Sequence, residues 1–145
     1  MIDRALQIMI RCHLGQYDKA GKPYFLHPMA VAELLNTADD ELKIIAFLHD
    51  ILEDTDITEQ KLRSLRFSER VISGIIALTK IKGESYSEYK QKVKSNPDAI
   101  KVKIADLSHN MDLSRLILVS EQDIKRQERY KQFYSELEQL LDNYT

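Results

Sequence analysis

The chain has 145 residues, 30% of them charged and 43% hydrophobic, with a formal net charge of −2. That length suits one domain, 1–145, with a core of its own, and the near-neutral charge excludes a global field that would draw in nucleic acid. The single cysteine, Cys12, excludes an internal disulfide and suits a reducing, cytoplasmic setting.

No apolar run approaches the roughly 20 residues that span a bilayer, so no membrane partner is expected. The opening "MIDRALQIMIRCH" carries Asp3, Arg4 and Arg11 among its apolar residues, which is not the pattern of a secretion signal. Ile2, Leu6, Met9 and Ile10 recur at helical spacing and predict a first helix to about His13. "GQYDKAGKPYF" reads as a loop, and "HPMAVAELLN" as a helix with proline early, where its missing N–H costs little. "DDELKIIAFLHDILEDT" is predicted as one helix with acids in its first turn. "DITEQKLRSL" follows, capped by Asp56 or Thr58, then "SERVISGIIALTK", capped by Ser68. A loop around Gly83 leads into a polar helix that Asn96 and Pro97 break. "PDAIKVKIADLSHNMDLSRLILV" is predicted as one long helix with proline at its first position. The last, "SEQDIKRQERYKQFYSELEQLLDN", has Ser120 as its cap. No segment alternates like a strand and no repeat or linker is visible. The expectation is an all-α bundle of about seven or eight helices. The oligomeric state stays open.

The chemistry concentrates in "LHDILEDT", Leu48 to Thr55, beside the apolar "KIIAF". His49, Asp50, Glu53 and Asp54 are separated by one, three and four positions, which gathers them on one side of a helix. Carboxylates crowded there repel one another, and a divalent cation removes that cost. A second cluster, "KIADLSHNM", places Asp106 and Asn110 four apart on a face with apolar neighbours, and a buried acid there needs partners. His27 stands at the mouth of a helix. Together His27, His49, Asp50 and Asp106 make a nitrogen and oxygen set that suits Mn²⁺, Fe²⁺, Co²⁺ or Zn²⁺ better than Ca²⁺. Four protein ligands on an octahedral ion leave positions for water or substrate, as hydrolytic centres require. Glu53 and Asp54, one turn further on, are placed to handle protons. His13 and His109 read as structural or supporting residues, with His109 turned away from Asp106 and Asn110.

With these residues in view, "GKPYFLHP", "LHDILEDT" and "KIADLSHNM", together with "ALTK" at Ala77 to Lys80, resemble in order and spacing the HD-domain hydrolases of the RelA/SpoT type. The resemblance covers roughly Gln7 to Leu116. It implies removal of the 3′-pyrophosphate from (p)ppGpp, a small-molecule nucleotide, with Mn²⁺ as cofactor. It implies His27, His49, Asp50 and Asp106 as metal ligands and Glu53 and Asp54 as the acids that orient and deprotonate water. Asn110 would sit at the substrate side and Tyr24 would shape the pocket. The chain differs from the family pattern at Asp18, where the longer enzymes usually carry a basic residue, and at Leu107 and Asp112, which replace the arginines of "ADRLHNMR". Lys19, Lys22, Lys103 and Arg115 remain as candidate phosphate contacts, and Tyr86 and Tyr89 as candidate base-stacking residues. Two other readings fit the same residues: a hydrolase of another nucleotide phosphate ester, and a non-catalytic nucleotide-sensing HD domain.

Overall fold

The computed structural model describes residues 1–116 and 118–143, except for the Arg115 side chain. Among the described residues there are nine α-helical segments, one 3-10 turn and no strand. They are α1 (Ile2–His13), α2 (Leu26–Leu34), α3 (Asp40–Leu48), α4 (Ile51–Asp54), α5 (Glu59–Ser64), α6 (Glu69–Ala77), α7 (Tyr86–Lys94), α8 (Pro97–Asn110) and α9 (Glu121–Asn143). The fold is an all-α helical bundle. No described helix is long and apolar enough to cross a membrane.

Local signals explain most boundaries. Asp39, Thr58, Ser68 and Asn96 each accept a hydrogen bond from a backbone N–H of the first turn they cap. Ser85 and Glu88 form a reciprocal capping box on α7. Ser120 does the same for α9 with Asp123, whose carboxylate accepts from the serine N–H. Pro97 sits at the start of α8, where no N–H is needed.

Two predicted helices end earlier than expected. The segment read as one helix through "LHDILEDT" breaks at His49 and Asp50, so α3 and the single turn α4 are separate. The segment from Pro97 stops at Asn110, because Asp112 leaves helical geometry and its side chain caps the short turn Leu113–Arg115. If α3 and α4 are counted as one broken helix, the bundle has eight.

α3 is the central helix. Leu42 and every residue from Ile44 to Leu48 are buried, and the helix packs against α1, α2, α6 and α8. A helix apolar on all sides belongs in a core. Gly74 on α6 permits the close approach to α3: a Cβ there would lie 2.7 Å from Ile45 Cδ1. α8 is covered by α2, α7 and α9, and the core closes over Phe133 and Leu137 of α9. Asp106 lies in the middle of α8, so it is buried by the same packing.

Candidate metal centre

On a continuous helix, neighbouring side chains diverge by about 100°. His49 and Asp50 therefore would not aim at one point. The break resolves this: Asp50 adopts φ −102°, ψ 1°, and both side chains turn toward a common centre. His49 Nδ1–H donates to the Ala46 carbonyl at 2.6 Å, which fixes the tautomer and points Nε2 inward. His27 comes from the first turn of α2 and Asp106 from α8. His27 Nε2 lies 2.8 Å from Asp106 Oδ1 and 4.0 Å from Asp50 Oδ2. His49 Nε2 lies 3.0 Å from Asp50 Oδ2 and 3.6 Å from Asp106 Oδ1.

These residues fit a divalent cation. Bonds of about 2.1 Å hold the adjacent donors of one ion roughly 3 Å apart, close to the shorter separations here. The buried His49 Nε2 has no hydrogen-bond partner among the described residues, although Asp50 Oδ2 lies 3.0 Å away. A buried polar atom left alone is costly, and an ion at this point removes that cost.

An outer layer orients the donors. Tyr24 donates its hydroxyl proton to Asp50 Oδ2. Asn110 Nδ2 donates to Asp106 Oδ1 at 3.0 Å, and Lys103 Nζ donates to Asp106 Oδ2 at 2.9 Å. His109 differs from the expectation that it turns away: its ring stacks on His27 at 4.9 Å, with the two Nδ1 atoms 2.7 Å apart. With His27 Nε2 unprotonated, as a ligand must be, His27 Nδ1–H donates to His109.

The electrostatics follow from burial and opposing charges. Burial alone would lower the His49 imidazole, but the Asp50 and Asp106 charges outweigh it and lift it well above its ordinary value. Burial would raise Asp50, yet His49 beside it holds the carboxyl down to about 2. Asp106 is likewise driven below its ordinary value, burial being overcome by Lys103. Lys103 goes up, because Asp106 and Tyr89 overcome its burial. Glu53 and Asp54 move the other way. Both reach solvent at the wall of the cavity but are half-enclosed by protein, and that desolvation, with Asp50 nearby, raises them.

The centre opens into a cavity of about 450 Å³, lined by Tyr24, His27, Asp50, Glu53, Asp54 and Asp106 among others. One ligand oxygen from each of Asp50, Glu53 and Asp54 lies within 4.8 Å of the others. Lys19 lines the cavity but pairs with Asp123 at 3.4 Å. Lys22 is exposed and does not line it. The Arg115 side chain lies outside the described residues. Asp18 gives its carboxylate to the backbone N–H groups of Ala20 and Lys22, both at 2.9 Å, and so shapes the loop. Tyr89 is buried, its hydroxyl donating to the Leu78 carbonyl, and Tyr86 packs edge-on against Phe133.

Sequence reasoning missed Arg126, Tyr130 and Gln127 of α9, which line the same cavity as His27, Asp50 and Asp106. Arg126 and Tyr130 are four apart and share a helix face. That spacing was visible, but nothing local said the face would lie over α8. Lys103, Arg126 and Tyr130 also line a second chamber of about 420 Å³ with Lys80 and Arg129, which has no acid among its described lining residues.

A bundle with a histidine and aspartate cluster between its helices defines a class, and the comparisons name it. Residues 5–126 match the family model described as HD domain, and the chain belongs to that family. A protein of Synechocystis sp. named probable guanosine-3′,5′-bis(diphosphate) 3′-pyrophosphohydrolase is 36% identical over 123 residues, covering 77% of this chain and 16% of that protein. A guanosine-3′,5′-bis(diphosphate) 3′-pyrophosphohydrolase of Aquifex aeolicus is 33% identical over 132 residues, 86% of this chain and 19% of that one. A GTP pyrophosphokinase of Streptomyces coelicolor is 32% identical over 138 residues, 88% and 16% of the two chains. This chain thus spans less than a fifth of these relatives. Among solved structures, a metazoan ortholog of SpoT, described as hydrolyzing ppGpp, superposes with a TM-score of 0.78 at 23% identity, over 98% of this chain and 92% of that one. This likeness shows the fold.

Proposed function

We propose that this chain is a metal-dependent phosphohydrolase that removes pyrophosphate from the 3′ position of (p)ppGpp. The observation that carries the reading is the convergence of His27 Nε2, His49 Nε2, Asp50 Oδ2 and Asp106 Oδ1 within 4.0 Å contacts, with Glu53 and Asp54 on the wall of the same cavity. The names of the Synechocystis and Aquifex relatives support the substrate. His27, His49, Asp50 and Asp106 would hold the ion, Mn²⁺ in our reading. A divalent ion bound there supplies Lewis acidity, acidifying water and neutralising phosphate charge.

The chain's own groups do the rest. Lys80 N–H donates to Glu53 Oε1 at 2.6 Å, which leaves Oε2 to take the proton of the attacking water. Burial raises the Glu53 carboxyl and so strengthens it as a base. Asp54 orients the water. Lys103 and Arg126 bring positive charge to the phosphates. The bond from the water oxygen to the 3′-attached phosphorus forms as the bond from phosphorus to the ribose 3′ oxygen breaks, and that oxygen takes up the proton that Glu53 accepted, giving GDP or GTP and pyrophosphate. A cytoplasmic setting goes with that substrate and with the lone cysteine. As a proposal, residues 1–145 act as one domain.

Asp18 and Asp112 favour keeping a second nucleotide phosphate ester in view, since both line the cavity and neither is a cation. The test is pyrophosphate release from ppGpp by purified protein with Mn²⁺, beside a panel of other nucleotides. Glu53→Gln abolishes release and leaves metal content unchanged. EDTA stops turnover. Binding of ppGpp without release by the wild type refutes the enzymatic reading in favour of a sensor.

A further inference from the structure

The loop between α6 and α7 is tied down more tightly than a surface turn requires. Thr79 is buried and its hydroxyl donates to the Ile75 carbonyl at 2.7 Å. Its own carbonyl accepts from Lys92 Nζ of α7 at 2.6 Å. The same ammonium meets both carboxylate oxygens of Glu84 at 3.0 Å. Glu84 accepts in turn from Ile81 N–H at 3.3 Å, and Tyr89 of α7 donates to the Leu78 carbonyl at 3.3 Å. Side chains of α7 and Glu84 thus hold residues 78, 79 and 81. The residue between them, Lys80, sends its backbone N–H to Glu53 Oε1 at 2.6 Å, across 27 positions of chain.

We propose that Lys92, acting with Glu84, is a positioning residue: it fixes the Thr79–Lys80 peptide so that the Lys80 N–H holds Glu53 in its working orientation. The proposal rests on the reading of Glu53 as the proton acceptor. Lys92 itself does not line the metal cavity. Its ammonium is the only side-chain group among the described contacts that ties the Thr79 carbonyl, and its side chain is 26% exposed while that of Glu84 is 9% exposed. A peptide unit has one orientation for both its ends, since it is planar. Holding the Thr79 C=O toward Lys92 therefore aims the Lys80 N–H the opposite way, toward Glu53. Released, the peptide can rotate, and a carboxylate that loses its donor samples other rotamers. Small displacements of a catalytic group cost rate rather than ground-state binding.

The test uses Lys92→Met, with Lys92→Arg as the conservative variant, and reads both activity and the Lys80 amide proton by NMR in the metal-free protein. A short bond to a carboxylate moves that proton downfield. In Lys92→Met the Lys80 amide returns upfield, as it also does in Glu53→Gln, kcat falls roughly tenfold, and KM and bound-metal content stay at wild-type values. Lys92→Arg restores most of both signals. An unmoved Lys80 amide in Lys92→Met overturns the proposal, as does an equal fall in metal content. Absence of turnover in the wild type, with the amide response intact, refutes the hydrolase reading and leaves the strut standing.

Discussion

Lys103 is an internal countercharge, and its removal tests the electrostatics of the centre. Its Nζ lies 2.9 Å from Asp106 Oδ2, with side-chain exposures of 16% and 7%, and it sits 5.3 Å from the Tyr89 ring. Lys103→Met keeps the apolar stem and deletes the charge. Breaking one side of a buried pair typically costs 3–5 kcal/mol. Asp106 retains Asn110 and His27, so the low end applies, about 3 kcal/mol. At about 2.1 cal/mol/K per residue, a chain of 145 residues has an unfolding entropy of about 300 cal/mol/K. The variant's Tm therefore falls by about 10 °C in EDTA. Saturating Mn²⁺ supplies an alternative countercharge to Asp106, so the deficit shrinks to roughly half or less. Scanning calorimetry of both proteins with EDTA and with Mn²⁺ reads the four values. A deficit equal in both conditions, or one under about 2 °C in EDTA, refutes the idea that Lys103 and the cation answer the same carboxylate.

Tyr24→Phe removes the hydroxyl that donates to Asp50; affinity for Mn²⁺ falls roughly tenfold by calorimetric titration while the Tm in EDTA changes little. Gly74→Ala gains about 1 kcal/mol of helix propensity but meets Ile45 Cδ1 at 2.7 Å and two further Ile45 carbons at 3.2 Å. Overpacking of this kind costs 1–3 kcal/mol, so denaturant unfolding shows no gain and a net loss of about 1 kcal/mol; a stabilised variant would mean Ile45 repacks freely. Arg70 pairs with Asp39 at 2.6 Å and with Asp98 at 2.9 Å, and its hydrogen bonds hold the Asp39 carboxyl below its ordinary value. A lowered carboxylate contributes stability above its unfolded pKa, and loses it as pH falls through the folded value. Arg70 and Asp39 are each 38% exposed, so Arg70→Met costs only about 0.5–1 kcal/mol at pH 7, and the difference begins to shrink as pH falls below about 4. A difference that stays the same from pH 7 down to about pH 2 contradicts this assignment.

The bundle was legible because its signals are local. Capping residues such as Ser68 and Asn96, the proline at position 97, and the apolar repeats act within one or two turns, so a linear reading recovers the helices they start. The break at His49 was not legible. Propensity favours continuing through "FLHDILED", and only tertiary geometry, the demand that neighbouring side chains aim at one centre, argues for interruption. The end of α8 was missed because an aspartate reads alike inside a helix and at the start of a turn; here the Asp112 carboxylate accepts from the Ser114 N–H and caps Leu113–Arg115. The metal-ligand candidates could be named from residue types and spacing, since His27, His49, Asp50 and Asp106 are scarce groups among apolar neighbours. Arg126 and Tyr130 could not, because a charged and an aromatic residue on a polar helix look the same whether they face water or a cavity.

The break and its surroundings also explain why the core helix carries the chemistry. α3 is enclosed by four other helices, so the position of its last residues is set by packing rather than by a flexible loop. His49 and Asp50 inherit that rigidity, and the turn that follows swings Glu53 and Asp54 out to the cavity wall, where solvent and substrate can reach them. In α4 the ligand oxygens of Asp50, Glu53 and Asp54 still lie within 4.8 Å of one another, and burial together with Asp50 raises the Glu53 carboxyl, while His49 and Asp106 are buried and Glu53 and Asp54 stay exposed. On the proposed reading, ending α3 at His49 separates two roles with opposite needs: donors that must be buried and charged, and acids that must be reachable and able to take a proton.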